Sequence, residues 1–325
     1  MKEILIDKNE NEQRLDRFLK KYLSSASLSF IYKMIRKKNI KVNGKKASPE
    51  TIIYFGDKIE LYLSDELLDK FVSDKATEYK NFDIDICYED KNIILINKPV
   101  GKLSHSTTDR REDNVVDDMI AYLIQKKEYV PRLERTFTPS ICNRLDRNTS
   151  GIIIGAKNYE ALKAINNAIK NNKIKKYYKT IALGKIASDF VKSSYLVKDD
   201  IKNKSMIYEN PTDNSKKIET SFKVIKSNEE YTLLEIELLT GRTHQIRAQL
   251  SNMGHPIIGD RKYGIDKINS KFDHIYGLKH QLLHAYKIVF ADLEGDLSYL
   301  NGREFEIKDP EIFSKIEKDL FSRGV

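Results

Sequence analysis

The residues with the clearest chemical potential lie in the segment 141–157, ICNRLDRNTSGIIIGAK. Asp146 is flanked there by Arg144 and Arg147, and an Asn-Thr-Ser-Gly turn separates it from a short apolar strand. A carboxylate held between cations is expected to stay ionised, so it can act as a nucleophile or as a base. The alternative is an ordinary surface ion pair or Asx turn, which is the more common meaning of such local composition.

Tyr178 is a second candidate, because it stands at the head of the segment 178–183 inside a stretch of tyrosines and lysines. Basic residues interleaved with aromatic ones are typical of surfaces that bind unstacked RNA bases. Taken alone, however, a tyrosine at the head of a strand is more often part of the core than of an active site. The lysines of this cluster are Lys170, Lys173, Lys175, Lys176 and Lys179.

Arg247 is a third candidate, at the end of the run LTGRTHQIR, which also contains Arg242. The run follows a strand-like segment in which apolar and acidic residues alternate. Thr243 is predicted to cap a short helix that carries Arg247 and stops near Gly254. An arginine on such a rigid element could pair with a carboxylate from a distant part of the chain.

Metal chemistry is an alternative suggested by His280 and His284, which would share one face of a helix. A metalloprotease helix needs a glutamate next to its first histidine, and this chain has Gln281 there. Cys87 and Cys142 are the only cysteines and form no C-x-x-C pair. We therefore expect no metal site and no disulfide, and we expect the protein to work in a reducing cytoplasm.

The composition suits a polyanionic partner but does not identify one. The 325 residues include 57 Lys plus Arg against 48 Asp plus Glu, a net charge of +9. The length allows one large and one small domain. No apolar run approaches the roughly 18 residues of a membrane span, so we expect no membrane partner.

The first 64 residues predict a small module in which two helices precede a few strands. Residues 14–23 place their apolar side chains on one helical face, and Ser27 or Ser29 can cap a second, shorter helix. An Asn-Gly dipeptide later in the module predicts a hairpin. The order of elements is therefore helix, helix, strand and hairpin.

A basic patch lies within this module, between residues 31 and 46. It has seven lysines and arginines and no acidic residue, and it includes Lys33, Arg36 and Lys37. Such a patch predicts phosphate binding, although a solvated helix face is an equally common explanation for the charge alone. The order of elements favours the first interpretation, because residues 13–64 resemble the alpha-L (S4-like) RNA-binding domain.

Residues 65–81 are polar, mixed in charge and without a clear period, which predicts a linker. Residues 82–325 then predict a second, larger domain of short strands with a few helices. Within it, the polar stretch 199–217 is expected to form an exposed hairpin or loop.

Five segments of this larger domain resemble one family, the RluA/RluC/RluD pseudouridine synthases. The segment around Asp146 resembles the family signature H-R-L-D-x-x-T-S-G, except that Asn143 stands where the family usually has histidine. The other matching segments are N-K-P-x-G at 97–101, L-T-G-R-T-H-Q-I-R at 239–247 and Q-L-L-H-A at 281–285. The family's K-x-Y-x-A-x-x-x-G segment aligns with 176–184, where Thr180 stands at the alanine position. They occur in collinear order over roughly residues 82–292.

The resemblance implies roles for the three candidates. Asp146 would attack the ribose of a uridine or remove a proton from it, and Arg247 would pair with Asp146 and orient it. Tyr178 would stack on the uracil and help to remove its carbon 5 proton. Arg144 would fill the gap that a flipped base leaves, and the remaining cations would hold RNA phosphates. These substrate-binding residues are Lys33, Arg36, Lys37, Lys176 and Arg242.

The resemblance also implies an α+β fold, with a catalytic domain built on a mostly antiparallel mixed sheet behind the small alpha-L domain. The expected activity is isomerisation of uridine to pseudouridine, most consistent with large-subunit ribosomal RNA, by a monomer without cofactor or metal. Two alternatives stay open: a non-catalytic RNA-binding or ribosome-assembly factor on the same scaffold, and a metal-dependent hydrolase that a chelator would inhibit.

Overall fold

A computed structural model describes residues 2–6, 10–71, 82–106, 112–129, 137–199 and 203–322. Its helices are α1 (Leu15–Tyr22), α2 (Leu28–Arg36), α3 (Asp65–Phe71), α4 (Val115–Gln125), α5 (Tyr159–Lys170), α6 (Gln245–Asn252), α7 (Asp266–Tyr276) and α8 (Glu311–Phe321). Its first strands are β1 (Lys2–Leu5), β2 (Gln13–Arg14), β3 (Ile40–Val42), β4 (Lys45–Lys46), β5 (Ile52–Ile53), β6 (Lys58–Leu61), β7 (Ile86–Glu89), β8 (Ile93–Lys98) and β9 (Ser140–Ile141). The remaining strands are β10 (Ser150–Ala156), β11 (Ile174–Leu183), β12 (Phe190–Asp199), β13 (Lys204–Tyr208), β14 (Lys216–Ser227), β15 (Tyr231–Leu238), β16 (Leu283–Phe290) and β17 (Glu304–Glu306).

The N-terminal part has its own sheet and its own core. Strands β1, β6, β3 and β4 form an antiparallel sheet in that order, and β2 pairs with β5. The Ser27 side chain caps α2 by accepting a hydrogen bond from the Phe30 amide at 3.2 Å. Asn43 and Gly44 both have positive φ, as the predicted hairpin between β3 and β4 requires. We call residues 2–71, as far as they are described, the N-terminal module.

Helix α3 lies where the sequence predicts the start of a linker. Its residues Leu67 and Leu68 pack into the apolar core of the N-terminal module, and Leu68 is buried. The Phe71 ring packs against Phe30 at a centroid distance of 4.6 Å. Two adjacent leucines in a seven-residue helix are too short a pattern to show a period, so only the tertiary contacts identify this helix. The rest of the predicted linker, residues 72–81, lies outside the described residues.

One large sheet organises the rest of the described chain. Its strand order is β13-β12-β14-β15-β11-β16-β10-β8-β7, with β17 beside β16 and β9 beside β10. The β10–β16 pair is parallel and the other described pairs are antiparallel. The predicted α+β fold with a mostly antiparallel mixed sheet is therefore confirmed.

Strand β10 is buried on both faces, which explains its unbroken apolar sequence. Ile153 points to the face that α4 and α6 cover, whereas Ile152 and Ile154 point to the face that α5 covers. Helices α7 and α8 cover a third cluster beside β11 and β15. The strand that follows Asp146 is thus held in the centre of the core.

The polar stretch 199–217 includes an exposed hairpin, the first of the two structures predicted for it, in which β13 pairs with the end of β12. Strand β13 and the start of β14 fall within it, and both extend the large sheet. Their side chains are largely exposed, so the stretch lacks the apolar alternation that marks a half-buried strand. Among the described residues, no helix is both long and apolar enough to cross a membrane.

Candidate active site

The loop that carries Asp146 connects β9 to β10 and is held by Asn143. The Asn143 carboxamide oxygen accepts a hydrogen bond from the Ile154 amide at 2.7 Å, and its nitrogen donates to the Ile152 carbonyl at 3.4 Å. The residue that departs from the family signature therefore ties the loop to the buried strand. An amide group supplies both the donor and the acceptor for this purpose.

Lys98 holds the other end of the same loop. Its side chain is fully buried, and its ammonium group donates to the carbonyl oxygens of Pro99 at 2.8 Å, Lys102 at 2.9 Å and Arg147 at 2.9 Å. Burial lowers the pKa of Lys98 to about 7, against the opposing charge of Asp146. Three carbonyl acceptors match the three N–H bonds of the protonated amine.

Gly151 permits the close approach of β10 to β16. Its φ is +124°, and a Cβ at this position would lie 2.2 Å from the carbonyl oxygen of Ala285. Only glycine fits both the backbone angle and the space. Two of the segments singled out in the sequence, T-S-G and Q-L-L-H-A, therefore meet at this contact.

Arg247 connects two carboxylates. It lies on α6 and donates to Asp146 Oδ2 through Nη1 at 2.8 Å. Its Nε and Nη2 donate to the two oxygens of Asp260 at 2.7 and 2.9 Å. Asp260 is fully buried, whereas the Asp146 side chain is 26% exposed. One carboxylate therefore anchors the arginine, and the arginine positions the other carboxylate at the surface of the cleft.

Arg247 and Asp260 stabilise each other's charged forms. Burial would lower the pKa of Arg247, but the hydrogen bonds and charges of Asp260 and Asp146 raise it above its ordinary value. Burial would likewise raise the pKa of Asp260, but its hydrogen bonds with Arg247 lower it. The Lys262 and Tyr263 amides donate to Asp260 as well, at 2.9 and 3.1 Å. The arginine is therefore charged and fixed.

Tyr178 comes to the same place from the centre of the sheet. It lies on β11, where the pairing with β16 shifts register between Tyr177 and Lys179. Such a bulge redirects a side chain. Tyr178 is buried, and burial together with the charge of Asp146 raises its pKa, so the phenol is protonated at neutral pH.

These groups line a cleft of about 700 Å³. Asp146, Tyr178 and Arg247 all face it, so three segments distant in sequence meet there. Three of the predicted substrate-binding residues also line the cleft: Arg144, Lys176 and Arg242. Burial lowers the pKa of Lys176.

The other predicted substrate-binding residues do not line the cleft. Lys33, Arg36 and Lys37 are exposed on α2 and its C-terminal end, in the N-terminal module. The structure therefore places the six cations in two groups, one around the carboxylate and one on the separate basic surface.

Two expectations about this region are corrected. Thr243 does not cap α6: the N-cap residue is His244, which has a left-handed backbone with φ of +53°. His280 and His284 do not share a helix, because His284 lies in strand β16 and its Nδ1 is 2.8 Å from the Ser150 hydroxyl. For His284, pairing of β16 with β10 and β11 overrides the local i, i+4 pattern on which the metal-site alternative was based.

Sequence reasoning gave no role to Asp260 or His244. His244 lies inside the matched segment at 239–247 and Asp260 lies outside the five segments, and their contacts with Asp146 and Arg247 form only in the folded chain. An acidic residue directly after the apolar Ile-Ile-Gly run was the available signal for Asp260.

The geometry agrees with comparisons to known proteins. Residues 92–252 match the family model described as RNA pseudouridylate synthase, and residues 13–59 match the S4 domain. An uncharacterized RNA pseudouridine synthase of Mycoplasma capricolum is 34% identical over 97% of this chain and 100% of its own length. The chain belongs to the RNA pseudouridine synthase family.

Two further relatives of this RNA pseudouridine synthase agree with the assignment. The ribosomal large subunit pseudouridine synthase C of Buchnera aphidicola is 33% identical over 90% of each chain. The solved structure of human RNA pseudouridylate synthase domain containing 4 has the same fold, with a TM-score of 0.54, 22% identity and coverage of 72% of this chain and 92% of that one. The chain is thus an RNA-modifying enzyme of mixed α+β fold with an N-terminal S4 domain, and its substrate is RNA.

Proposed function

We propose that Asp146 is the catalytic group of this RNA pseudouridine synthase. The supporting observation is its position in the cleft with a 2.8 Å ion pair to Arg247. This ion pair fixes the direction of the carboxylate, which a nucleophile or a base needs. Asp146 either attacks the ribose or removes a proton from it, and both routes require the ionised form.

The reaction rearranges one nucleotide without changing its composition. The bond between uracil N1 and ribose C1′ breaks, the base turns, and C5 bonds to the same ribose carbon. The proton on C5 then leaves and N1 gains one. Because the sequence of steps involves neither oxidation nor transfer to a second molecule, the proposal requires no cofactor and no metal.

Tyr178 is proposed to stack on the uracil and to assist the transfer of the C5 proton. Because its raised pKa keeps the hydroxyl protonated, it cannot act as a free phenolate. It would relay the proton, by accepting one while its own hydroxyl proton passes to another acceptor. Its burial beside Asp146 keeps bulk water from the turning base.

The substrate uridine must leave the RNA stack to reach Asp146. The cleft of about 700 Å³ is large enough for a flipped nucleotide, in the range typical of small-molecule pockets. Arg144 is exposed at its rim and is proposed to fill the gap in the stack. Lys176 and Arg242 in the cleft would hold nearby phosphates, and Lys33, Arg36 and Lys37 would hold more distant ones.

Large-subunit ribosomal RNA is the proposed target, in preference to tRNA. The support comes from the S4 domain and from relatives named ribosomal large subunit pseudouridine synthase C. We propose a monomer that acts in the cytoplasm, with the S4-like domain at 1–64, a linker at 65–81 and the catalytic domain at 82–325. Helix α3 packs with the first of these units, so we propose that this unit extends to Phe71.

The proposal is tested by mapping pseudouridine in ribosomal RNA and tRNA from cells with and without this protein. Chemical labelling marks each pseudouridine as a stop in reverse transcription. We expect stops in large-subunit ribosomal RNA to vanish without the protein and to return with wild type but not with Asp146→Asn.

Three other outcomes would contradict parts of the proposal. Stops that change only in tRNA would refute the ribosomal target. Stops that return with Asp146→Asn would refute the catalytic assignment. If neither RNA changes, the non-catalytic assembly factor becomes the better account.

A further inference from the structure

His244 lies beside Asp146 and has no role in the mechanism described above. Its Nε2 is 3.8 Å from Asp146 Oδ2, and its side chain is 9% exposed. Its backbone has φ of +53°, a region that residues other than glycine seldom adopt. Backbone conformations of this kind concentrate at functional sites. The strained residue therefore presents its ring to the same cleft as the carboxylate.

A tyrosine and a backbone amide determine which ring nitrogen of His244 carries a proton. The Tyr263 hydroxyl accepts a hydrogen bond from the Ser205 amide at 2.6 Å and lies 2.9 Å from His244 Nδ1. The amide can only donate, so the hydroxyl proton is available for Nδ1. The Ser205 side chain also approaches this hydroxyl, but its own proton is donated to the Thr243 carbonyl at 2.7 Å. Nδ1 is then the acceptor, and a neutral imidazole must carry its proton on Nε2.

The ring stays neutral at the pH of the cell. Burial lowers the pKa of His244 to about 4, and although Asp146 and Asp260 oppose this shift, Arg247 and Lys262 add to it. A neutral imidazole is too weak an acid to transfer its Nε2 proton to Asp146. The separation of 3.8 Å also exceeds a hydrogen bond, so the Nε2–H group is left facing the cleft.

We propose that His244 donates a hydrogen bond from Nε2 to the uracil as the base leaves the ribose. This inference rests on the proposed role of Asp146, because Asp146 must lie close to ribose C1′ in either route. When the N1–C1′ bond breaks, its electron pair enters the uracil ring and charge develops on N1 and on the carbonyl oxygens. The O2 carbonyl is bonded to the carbon next to N1, so it lies near C1′ and Asp146. The Nε2 proton stays on His244 throughout, and the hydrogen bond strengthens as charge develops.

Kinetics of two matched variants test the proposal. The amide nitrogen of His244→Gln can reach the place of Nε2, whereas His244→Asn is too short, although asparagine suits the left-handed backbone well. In single-turnover isomerisation we expect the asparagine variant to lose about 10²–10³-fold in rate, the usual effect of removing one donor to developing charge. The glutamine variant should recover at least about tenfold of that loss, and both should bind RNA within about threefold of wild type. Equal rates for the two variants, whether low or near wild type, would overturn the proposal.

Nitrogen NMR of the histidines tests the proton position without any turnover. The wild-type signal of His244, identified by its loss in His244→Gln, should show protonation at Nε2. Tyr263→Phe keeps the ring beside the Arg247 guanidinium, at 5.2 Å, and removes only the hydroxyl, so the signal should become that of a tautomer mixture. A wild-type signal from an Nδ1-protonated ring would overturn the proposal.

The two readouts distinguish this inference from the proposed function. If Asp146→Asn stays active, the catalytic assignment fails whatever the NMR shows. If Asp146→Asn is inactive while His244→Asn turns over normally, the role of His244 fails alone.

Discussion

Replacing Asp260 with asparagine removes the anchor of Arg247 at almost constant volume. The carboxylate now accepts two hydrogen bonds from Arg247 and is fully buried. Asparagine has one oxygen, so its NH₂ group would face one N–H group of the guanidinium, and neither would have an acceptor. The charge of Arg247 would keep only Asp146 as a partner, and that carboxylate is partly exposed.

The expected cost is large because the arginine stays buried. Removing one partner of a buried ion pair typically costs about 3–5 kcal/mol. In a domain of 150–250 residues, each 1 kcal/mol lowers the unfolding temperature by about 2–4 °C, so we expect a decrease of about 6–20 °C. Because Arg247 also positions Asp146, we expect the single-turnover rate at a permissive temperature to fall about 10–100-fold.

Thermal unfolding followed by circular dichroism measures this cost, with Asp273→Asn as the matched control. Asp273 pairs with Arg261 at 3.1 Å on the surface, where Arg261 is largely exposed. An exposed pair of this kind contributes at most about 1 kcal/mol. If the two variants unfold within about 2 °C of each other, the reasoning about the buried pair is refuted.

Three further predictions concern other parts of the molecule. Hydrogen bonds with Arg247 lower the pKa of Asp260 despite its burial. The contribution of Asp260 to the free energy of unfolding should therefore be complete above pH ~5 and lost as the pH falls through the folded-state pKa of Asp260. In urea unfolding, the difference between wild type and Asp260→Asn should therefore shrink from pH ~5 downwards; a constant difference would contradict the assignment. Gly151→Ala should destabilise the protein by more than ~2 kcal/mol in the same assay, because the added Cβ would overlap Ala285. Gly254→Ala is the control: Gly254 also has a positive φ, but its added Cβ would have nothing within 4 Å, so the variant should cost only ~1 kcal/mol. Equal costs for the two variants would contradict the close approach of β10 to β16. Replacing Lys33, Arg36 and Lys37 by glutamine should weaken RNA binding and reduce its salt dependence by roughly two to three phosphate contacts. The same change at three other exposed lysines should do neither; these are Lys267, Lys271 and Lys279. Equal effects of the two triple variants in binding titrations would show that only total charge matters.

Local sequence signals predicted the elements of the N-terminal module well. The cap at Ser27, one of the two serines expected to provide it, and the Asn43-Gly44 turn depend on neighbouring residues, and the structure has both. The predicted ion pair between Arg247 and Asp146 is also present, although 101 residues separate the two in sequence. That expectation came from resemblance to a family, because no local pattern could supply it.

The features that were missed depend on distant contacts. Asp260 reads as an ordinary turn residue until Arg247 lies against it, and His244 reads as a helical residue until the contacts with Tyr263 fix its ring. The parallel pairing of β10 with β16 brings together residues about 134 positions apart, as in the hydrogen bond between Ser150 and His284. No periodicity within either strand predicts such a pairing.

The most direct test of the central claim is single-turnover isomerisation by purified wild type and Asp146→Asn, with RNA affinity measured on the same preparations. The account predicts that the variant loses at least about 10⁴-fold in rate, as removal of an essential nucleophile or base typically does. It also predicts an RNA affinity within about threefold of wild type, since Asp146 is ion-paired with Arg247 and removing its charge leaves the phosphate-binding cations in place. A variant that isomerises uridine within about tenfold of the wild-type rate would contradict the assignment of Asp146.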